Sequence, residues 1–414
     1  MLTRIAVRNL LKNRRRSLYA ILAIGLGFTA VNLFGGFTRY INSSLRDGFI
    51  YSQGQGHLTI FRKGFLEEGG TDPVRYLLRR TEEDSIRAIL ADQPEVLLTT
   101  PQLQISGLLT DGRNSTIFIA TGHVPSELRT ITSRAPGMLG RLTPFRGRAL
   151  EDSLAYGVGL SSGLAHLLHL ELGDGAIAMA PTVDGRINAL DAEVFQTFES
   201  TVEVLNDKLM AVPLTFAHDL YDTQRNDRLT VLLEKTSQTR KTAARLKALF
   251  ANRGMDLEIR TWEDLSVLYT KVRNMFDIIF LFLFVIVLVI SGMSVVNTIN
   301  MAVMERIREI GTFRALGMRR HRIVRLFAVE SGLLGAAGSV FGALLTLTCW
   351  LAVRLAHPTW SPPIITSRLP LEIHLVPEYF ALSFLFLVLL SVAAAGVPAR
   401  RAVRGNIVEA LGHV

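Results

Sequence analysis

One basic stretch caught between two apolar runs limits what this chain can become. Met304–Arg322 (MERIREIGTFRALGMRRHR) is dense in arginine, whereas Ile278–Val303 before it and Ser331–Val353 after it carry no charge. Both runs are long enough to cross a bilayer. A central Arg or Asp costs about 2.5–3.5 kcal/mol in hydrocarbon even on a lenient scale, so the stretch must emerge as a turn in water. Its arginines place that water on the cytoplasmic side. Ile307, Ile310, Phe313 and Leu316 recur close to one helical turn apart, which predicts a short amphipathic helix in the turn. Gly311 and Gly317 are expected to break it into pieces. A helix of this kind between two spans is a docking surface for a soluble partner, although charge alone is also explained by plain topology determination.

Two more runs complete a set of four. Ser17–Thr38 is uncharged over about 22 residues and Tyr379–Ala399 over about 21, each enough for the roughly 30 Å core. Arg14-Arg15-Arg16 holds the N-terminus inside, and the first run exceeds the ~15-residue limit of a signal-peptide core, so it reads as an uncleaved anchor. Leu2–Lys12 places Arg4, Arg8 and Lys12 at four-residue spacing, as in a helix lying on the inner membrane surface.

The balance of composition agrees. Of 414 residues 49% are hydrophobic and 20% charged, a mixture of membrane spans and a sizeable folded domain. The net charge of +9 gathers beside the spans, and no nucleic-acid-binding signature accompanies it, so no nucleic acid is expected as a partner. The single cysteine, Cys349, excludes an intramolecular disulfide and any cysteine-held zinc or iron–sulfur centre.

From Tyr40 to Val272 no run can span. Gly56–Phe61, Ser115–Thr121 and Asp227–Leu233 have strand composition, while Glu82–Leu90 (with Thr81 as N-cap) and Gln238–Ala251 read as helices. The mixture predicts an α+β domain, with two lobes suggested by the turn-rich His123–Leu150. The expected order is a cytoplasmic amphipathic helix (1–16), a first span (17–39), the extracytoplasmic α+β domain (40–273), a second span (274–303), the charged loop (304–325), a third span (326–353), an outer loop (354–377), a fourth span (378–399) and a cytoplasmic tail (400–414).

Catalytic arrangements are missing. There is no G-x-x-x-x-G-K-[ST] loop, so ATP phosphates have no cradle here and must be bound by another polypeptide if the work is ATP-driven. His166 and His169 lack a HExxH pattern, Ser161-Ser162-Gly163 is a turn rather than a G-x-S-x-G elbow, and Gly54-Gln55-Gly56 are turn glycines. No cofactor or metal site is assigned. The spans are nearly free of internal charge, unlike an ion or solute pathway; Asn32, Ser291, Ser294 and Asn297 are read as bridges between helices. Gly338-Ser339-Val340-Phe341-Gly342 is a GxxxG, and with Gly335 it marks close helix packing first and a dimer contact second.

The order of residues around the basic stretch says more. Glu305–Met318 resembles the signature loop of the FtsX-like permease domain, shared by MacB-type exporters and lipoprotein-releasing (Lol-type) ABC permeases. The likeness continues through Leu326–Gly335 and returns at Pro398–Ala402 and Val408–Leu411. It implies a fold of four transmembrane α-helices with the α+β domain inserted between the first two, in a bacterial inner membrane with both termini cytoplasmic. It also implies that Glu305, Arg308, Glu309, Ile310, Gly311, Phe313, Arg314, Leu316 and Gly317 form a coupling helix seated in a groove of a separate cytoplasmic ATPase. Glu309 and the arginines would make its polar contacts; Ile310, Phe313 and Leu316 would fill the groove. The implied partners are ABC ATPase subunits, a second permease copy or a related permease, membrane lipids, and a lipoprotein or periplasmic adaptor or chaperone. Layout points to lipoprotein release; efflux with an adaptor and FtsX-like activation of a cell-wall hydrolase are the alternatives.

Overall fold

A computed structural model describes residues 6, 8–10, 14–136, 145–200, 203–315, 317–360 and 369–404, with backbone alone at 308, 313, 369 and 402–404. Most of the expected N-terminal surface helix, the middle of the outer loop and the end of the tail therefore lie outside the described residues. In chain order, helix α1 (Arg14–Asp47) precedes strand β1 (Leu58–Arg62), helix α2 (Arg80–Ala91) and the hairpin of β2 (Val96–Thr110) and β3 (Ser115–His123). Then come α3 (Pro125–Ser133), β4 (Phe145–Gly147), β5 (Gly157–Ser161), α4 (Ser162–Leu167), β6 (Gly175–Pro181) and β7 (Ile187–Phe198). Strand β8 (Leu209–Pro213), α5 (Leu214–Tyr221), β9 (Arg228–Leu233), α6 (Thr239–Asn252) and β10 (Leu257–Thr261) follow. The last helices are α7 (Val267–Glu305), α8 (Ile307–Ala315), α9 (Arg320–Ala356) and α10 (Pro377–Arg404). The chain forms two compact units, Asn42–Lys271 with Thr359–Leu369, and the remainder.

The inserted unit is α+β. Its ten-stranded sheet runs β10-β1-β9-β2-β3-β8-β5-β7-β4, with β6 against both β2 and β7. Strand β2 explains how one sheet serves two cores. Its first half, Val96–Gln102, pairs β9, and its second half, Leu103–Thr110, pairs β3. Around the first half, Leu58, Ile60, Ile86, Leu90, Val231, Leu246 and Phe250 close a core under α2 and α6. Around the second, Leu103, Phe118, Val158, Leu160, Leu164, Val194 and Phe216 close another beneath α4 and α5. The division thus falls at Gln102/Leu103, not at His123–Leu150 as the turn formers suggested. Helix α2 starts two residues earlier than expected, and its first turn is closed by Glu82 accepting from the Arg79 amide at 2.9 Å rather than by Thr81.

Four helices are long and apolar enough to cross a membrane: α1 with its π-helical end (Arg14–Ser52), α7, α9 and α10 through Arg401, all in the other unit but for Asn42–Ser52 and Val267–Lys271. All are longer than their uncharged runs, because flanking polar residues continue the helical backbone past the apolar part. The shared core is Ile24 and Phe28 of α1, Val295, Ile299 and Val303 of α7, Phe327 of α9, and Leu387 and Ala395 of α10. On α7, by contrast, Ile278, Leu281, Phe282 and Ile286 are exposed, a surface suited to lipid rather than water.

Candidate functional site

The site is assembled where α7 gives way to α8. One residue, Arg306, separates the two helices, with its amide donating to Val303 O at 3.1 Å and its carbonyl accepting from the Ile310 amide at 2.9 Å. Gly311, expected to break the helix, is buried inside continuous α8, since a lone glycine costs only about 1 kcal/mol in a helix interior. The stop is at Gly317, whose φ of +85° is open chiefly to glycine and whose amide donates to Arg314 O at 3.0 Å.

Side chains at the junction reach in two directions. Glu305 forms an ion pair with Arg16 of α1. The next residue, Arg306, places Nη1 3.4 Å from Glu330 Oε2 of α9, with side chains 11% and 3% exposed respectively. The Glu330 carboxylate also accepts from the side chain of Asn9. A charge that deeply buried stays there only with a partner. Three parts of the chain are therefore tied to this short segment: the N-terminal region, the α7–α8 joint and α9.

The expected coupling residues separate into two faces. Ile310 is 5% exposed and belongs to the bundle's own core, and Gly311 is buried beside it. Ile310 is therefore not free to fill a partner's groove while the bundle is closed, a correction to the sequence expectation. The 3.6-residue period marks an apolar face without saying which neighbour covers it. Glu309, Thr312, Ala315 and Gly317 are exposed, Glu305 is partly exposed in its pair, and Arg314 is half-buried. The side chains of Arg308 and Phe313, and Leu316 altogether, lie outside the described residues. A further correction concerns charge within the spans, because Glu330 sits inside α9 among apolar neighbours. It was legible as a carboxylate in an otherwise uncharged run, but its partner stands 24 positions away. Arg16, Asn9 and Arg306 were missed for the same reason.

The helix-packing glycines lie in the same bundle. A methyl group on Gly338 would sit 2.7 Å from Ile24 Cβ, and one on Gly342 only 2.6 Å from Gly25 O, while Gly335 faces Ser391 of α10. Thr29 donates to both Gly25 O at 2.9 Å and Gly342 O at 3.0 Å. The GxxxG of α9 thus meets α1 of its own chain. Gly25, which the sequence did not single out, is the other half of that contact.

Among the described residues no group of three or more His, Cys, Asp or Glu is placed to hold a metal. The rings of His166 and His169 are 6.3 Å apart. In the inserted unit the notable electrostatic features are two histidines. Burial, with Arg228 adding to it at His123, lowers both His57 and His123 to about 4.

Four helices long and apolar enough to cross a membrane, one inserted α+β unit and a short helix between the second and third of those four make up the layout of a multi-pass membrane protein. Residues 281–407 match the family FtsX-like permease C-terminal. The macrolide export ATP-binding/permease protein MacB 1 of Yersinia pestis bv. Antiqua (strain Antiqua) is 27% identical over 201 residues, 48% of this chain and 29% of that protein. MacB of Escherichia coli (strain K12) is 28% identical over 187 residues, 45% and 27% respectively. The chain thus spans less than a third of the length of these relatives. Among solved structures, the periplasmic region of MacB from Actinobacillus actinomycetemcomitans aligns with a TM-score of 0.34 at 16% identity, covering 51% of this chain and 90% of that one. Residues 281–407 therefore carry an FtsX-like permease C-terminal domain.

Proposed function

We propose that the chain is the non-catalytic transmembrane subunit of an ABC machine, driven by a separate cytoplasmic ATPase docked on α8. The observation that carries this reading is α8 itself, a nine-residue helix held between two spans within the FtsX-like region, with Glu309 and Ala315 turned outward. Closure of the ATPases on nucleotide presses on that outer face. Because Ile310 is seated in the bundle core, a push on α8 is a push on the packing of α1, α7, α9 and α10. The spans pass the motion to the inserted domain outside the membrane, which acts on its cargo there. ATP is bound by the partner; the permease supplies the lever. Two copies, or this chain with a related permease, would face two ATPases.

For cargo we hold to lipoprotein release from the inner membrane, on the layout of four spans with one inserted domain. Efflux of peptides or small molecules with a periplasmic adaptor is the second reading, and the MacB sequence matches favour it. The test of coupling is ATP hydrolysis by the co-purified ATPase in nanodiscs. Replacing Glu309 and Arg314 together with alanine is expected to lower permease-stimulated turnover several-fold, with membrane insertion and yield unchanged. Unaltered stimulation would remove α8 as the contact. Release of a radiolabelled lipoprotein from reconstituted vesicles, against macrolide sensitivity of a deletion strain, separates the two cargoes.

A further inference from the structure

The buried carboxylate of Glu330 ties α9 to the joint between α7 and α8. Arg306 is the one residue between α7 and α8, so what holds its side chain, together with the buried Ile310, bears on the angle at which α8 leaves the bundle. Two ion pairs are candidates. The Arg16–Glu305 pair is about two-fifths exposed on both sides, and water-exposed pairs of this kind hold geometry only weakly. The Arg306–Glu330 pair is almost wholly enclosed, where loss of one partner leaves the other charge uncompensated. Arg306 Nη2 is buried with no hydrogen-bond partner among the described residues, so Glu330 carries the compensation of that guanidinium. The same carboxylate holds Asn9, which brings the N-terminal region to the joint.

We infer that Glu330 is a positioning residue for α8: by gripping Arg306 and Asn9 it sets the orientation in which the helix is presented. Its consequence for ATP-driven motion rests on the function proposed above, whereas the positioning itself does not. The outward face of α8 would stay chemically intact without Glu330 but would no longer be held at one angle to the spans. An applied push would then be absorbed at the joint.

The test uses the purified full chain in nanodiscs, in a Cys349→Ser background. A nitroxide at Ala315→Cys, exposed on α8, reports the helix; one at Leu385→Cys, 56% exposed on α10, reports the bundle. Glu330→Gln is expected to raise the mobile fraction several-fold at 315 and to leave 385 unchanged. The exchanged pair, Arg306→Glu with Glu330→Arg, is expected to return the immobile spectrum at 315. An unchanged spectrum at 315 in Glu330→Gln would overturn the inference. So would an equal loosening at 385, or an exchanged pair that leaves 315 mobile. If Glu330→Gln frees α8 but no ATPase responds to the unmodified chain, the positioning stands and the proposed function falls.

Discussion

His57 shows how much a single buried side chain can bind stability to pH. It is fully buried; Nδ1 accepts from the Leu233 amide at 3.1 Å, which leaves the proton on Nε2, facing Thr236 Oγ1 at 3.0 Å. Burial, with Arg46 adding to it, lowers its pKa to about 4, against about 6.5 in an unfolded chain. The fold therefore favours the neutral ring. The stabilisation is complete above pH 6.5 and is lost as pH falls from there toward 4, amounting to about 3 kcal/mol at most. Thermal unfolding of the full chain in detergent at pH 7.5 and 4.5 checks this. The drop in midpoint is expected to be smaller in His57→Gln than in the parent, though His57→Gln starts lower at pH 7.5. An equal drop in both would show that His57 does not titrate on unfolding. None of this was legible beforehand. Gly56-His57-Leu58 reads as strand, and a strand histidine is as often outside as in. Glu330 is the converse case: a carboxylate in an apolar run announces itself, but which cation answers it is decided only when α7 and α9 lie side by side.

At the level of elements, the spans were legible because an uncharged run of bilayer length needs no knowledge of its neighbours. Interfaces between them were not. The Gly338/Gly342 pair is visible in one stretch of sequence, whereas the surface it meets, Gly25 with Thr29, lies 313 positions away from Gly342 for Thr29. Contact this close makes a sharp prediction. In Gly342→Ala the new methyl would press on the Gly25 carbonyl at 2.6 Å and on Phe28 Cβ at 2.7 Å, and backbone cannot swing aside as a long side chain can. Overpacking of this kind costs about 1–3 kcal/mol. Gly396→Ala is the control, because nothing lies within 4 Å of its added methyl and alanine is favoured over glycine in a helix by about 0.5–1 kcal/mol. The unfolding midpoint in detergent is expected to fall for Gly342→Ala and to hold or rise for Gly396→Ala. Similar behaviour of the two would mean that α1 and α9 are not in contact there. Helix α8 carries the same lesson, since its apolar period was plain in the sequence but the choice between bundle and partner was made by packing, and Ile310 went inward.

For the molecule as a whole, the decisive quantity is the side of the membrane on which each unit stands. Arginine is concentrated at Arg14–Arg16, through Arg306–Arg322 and at Arg400-Arg401, and each of these groups flanks an apolar run. Three such groups on one side agree with a first span that leads outward, a second that returns, and a third and fourth that repeat the excursion. The lever reading requires this arrangement. Force from a cytoplasmic ATPase must enter at α8 and reach a domain on the opposite face, so α8 and the inserted unit cannot share a compartment. Single cysteines in a Cys349→Ser background test it. Asp184→Cys lies at the exposed β6–β7 turn of the inserted unit and Ala315→Cys on the outer face of α8. A membrane-impermeant maleimide applied to cells with a permeabilised outer membrane is expected to modify the first and not the second. Lysis should expose both. Labelling of Ala315→Cys in sealed cells would turn the chain around in the membrane, leave α8 beyond the reach of any cytoplasmic motor, and end the proposal at its first step.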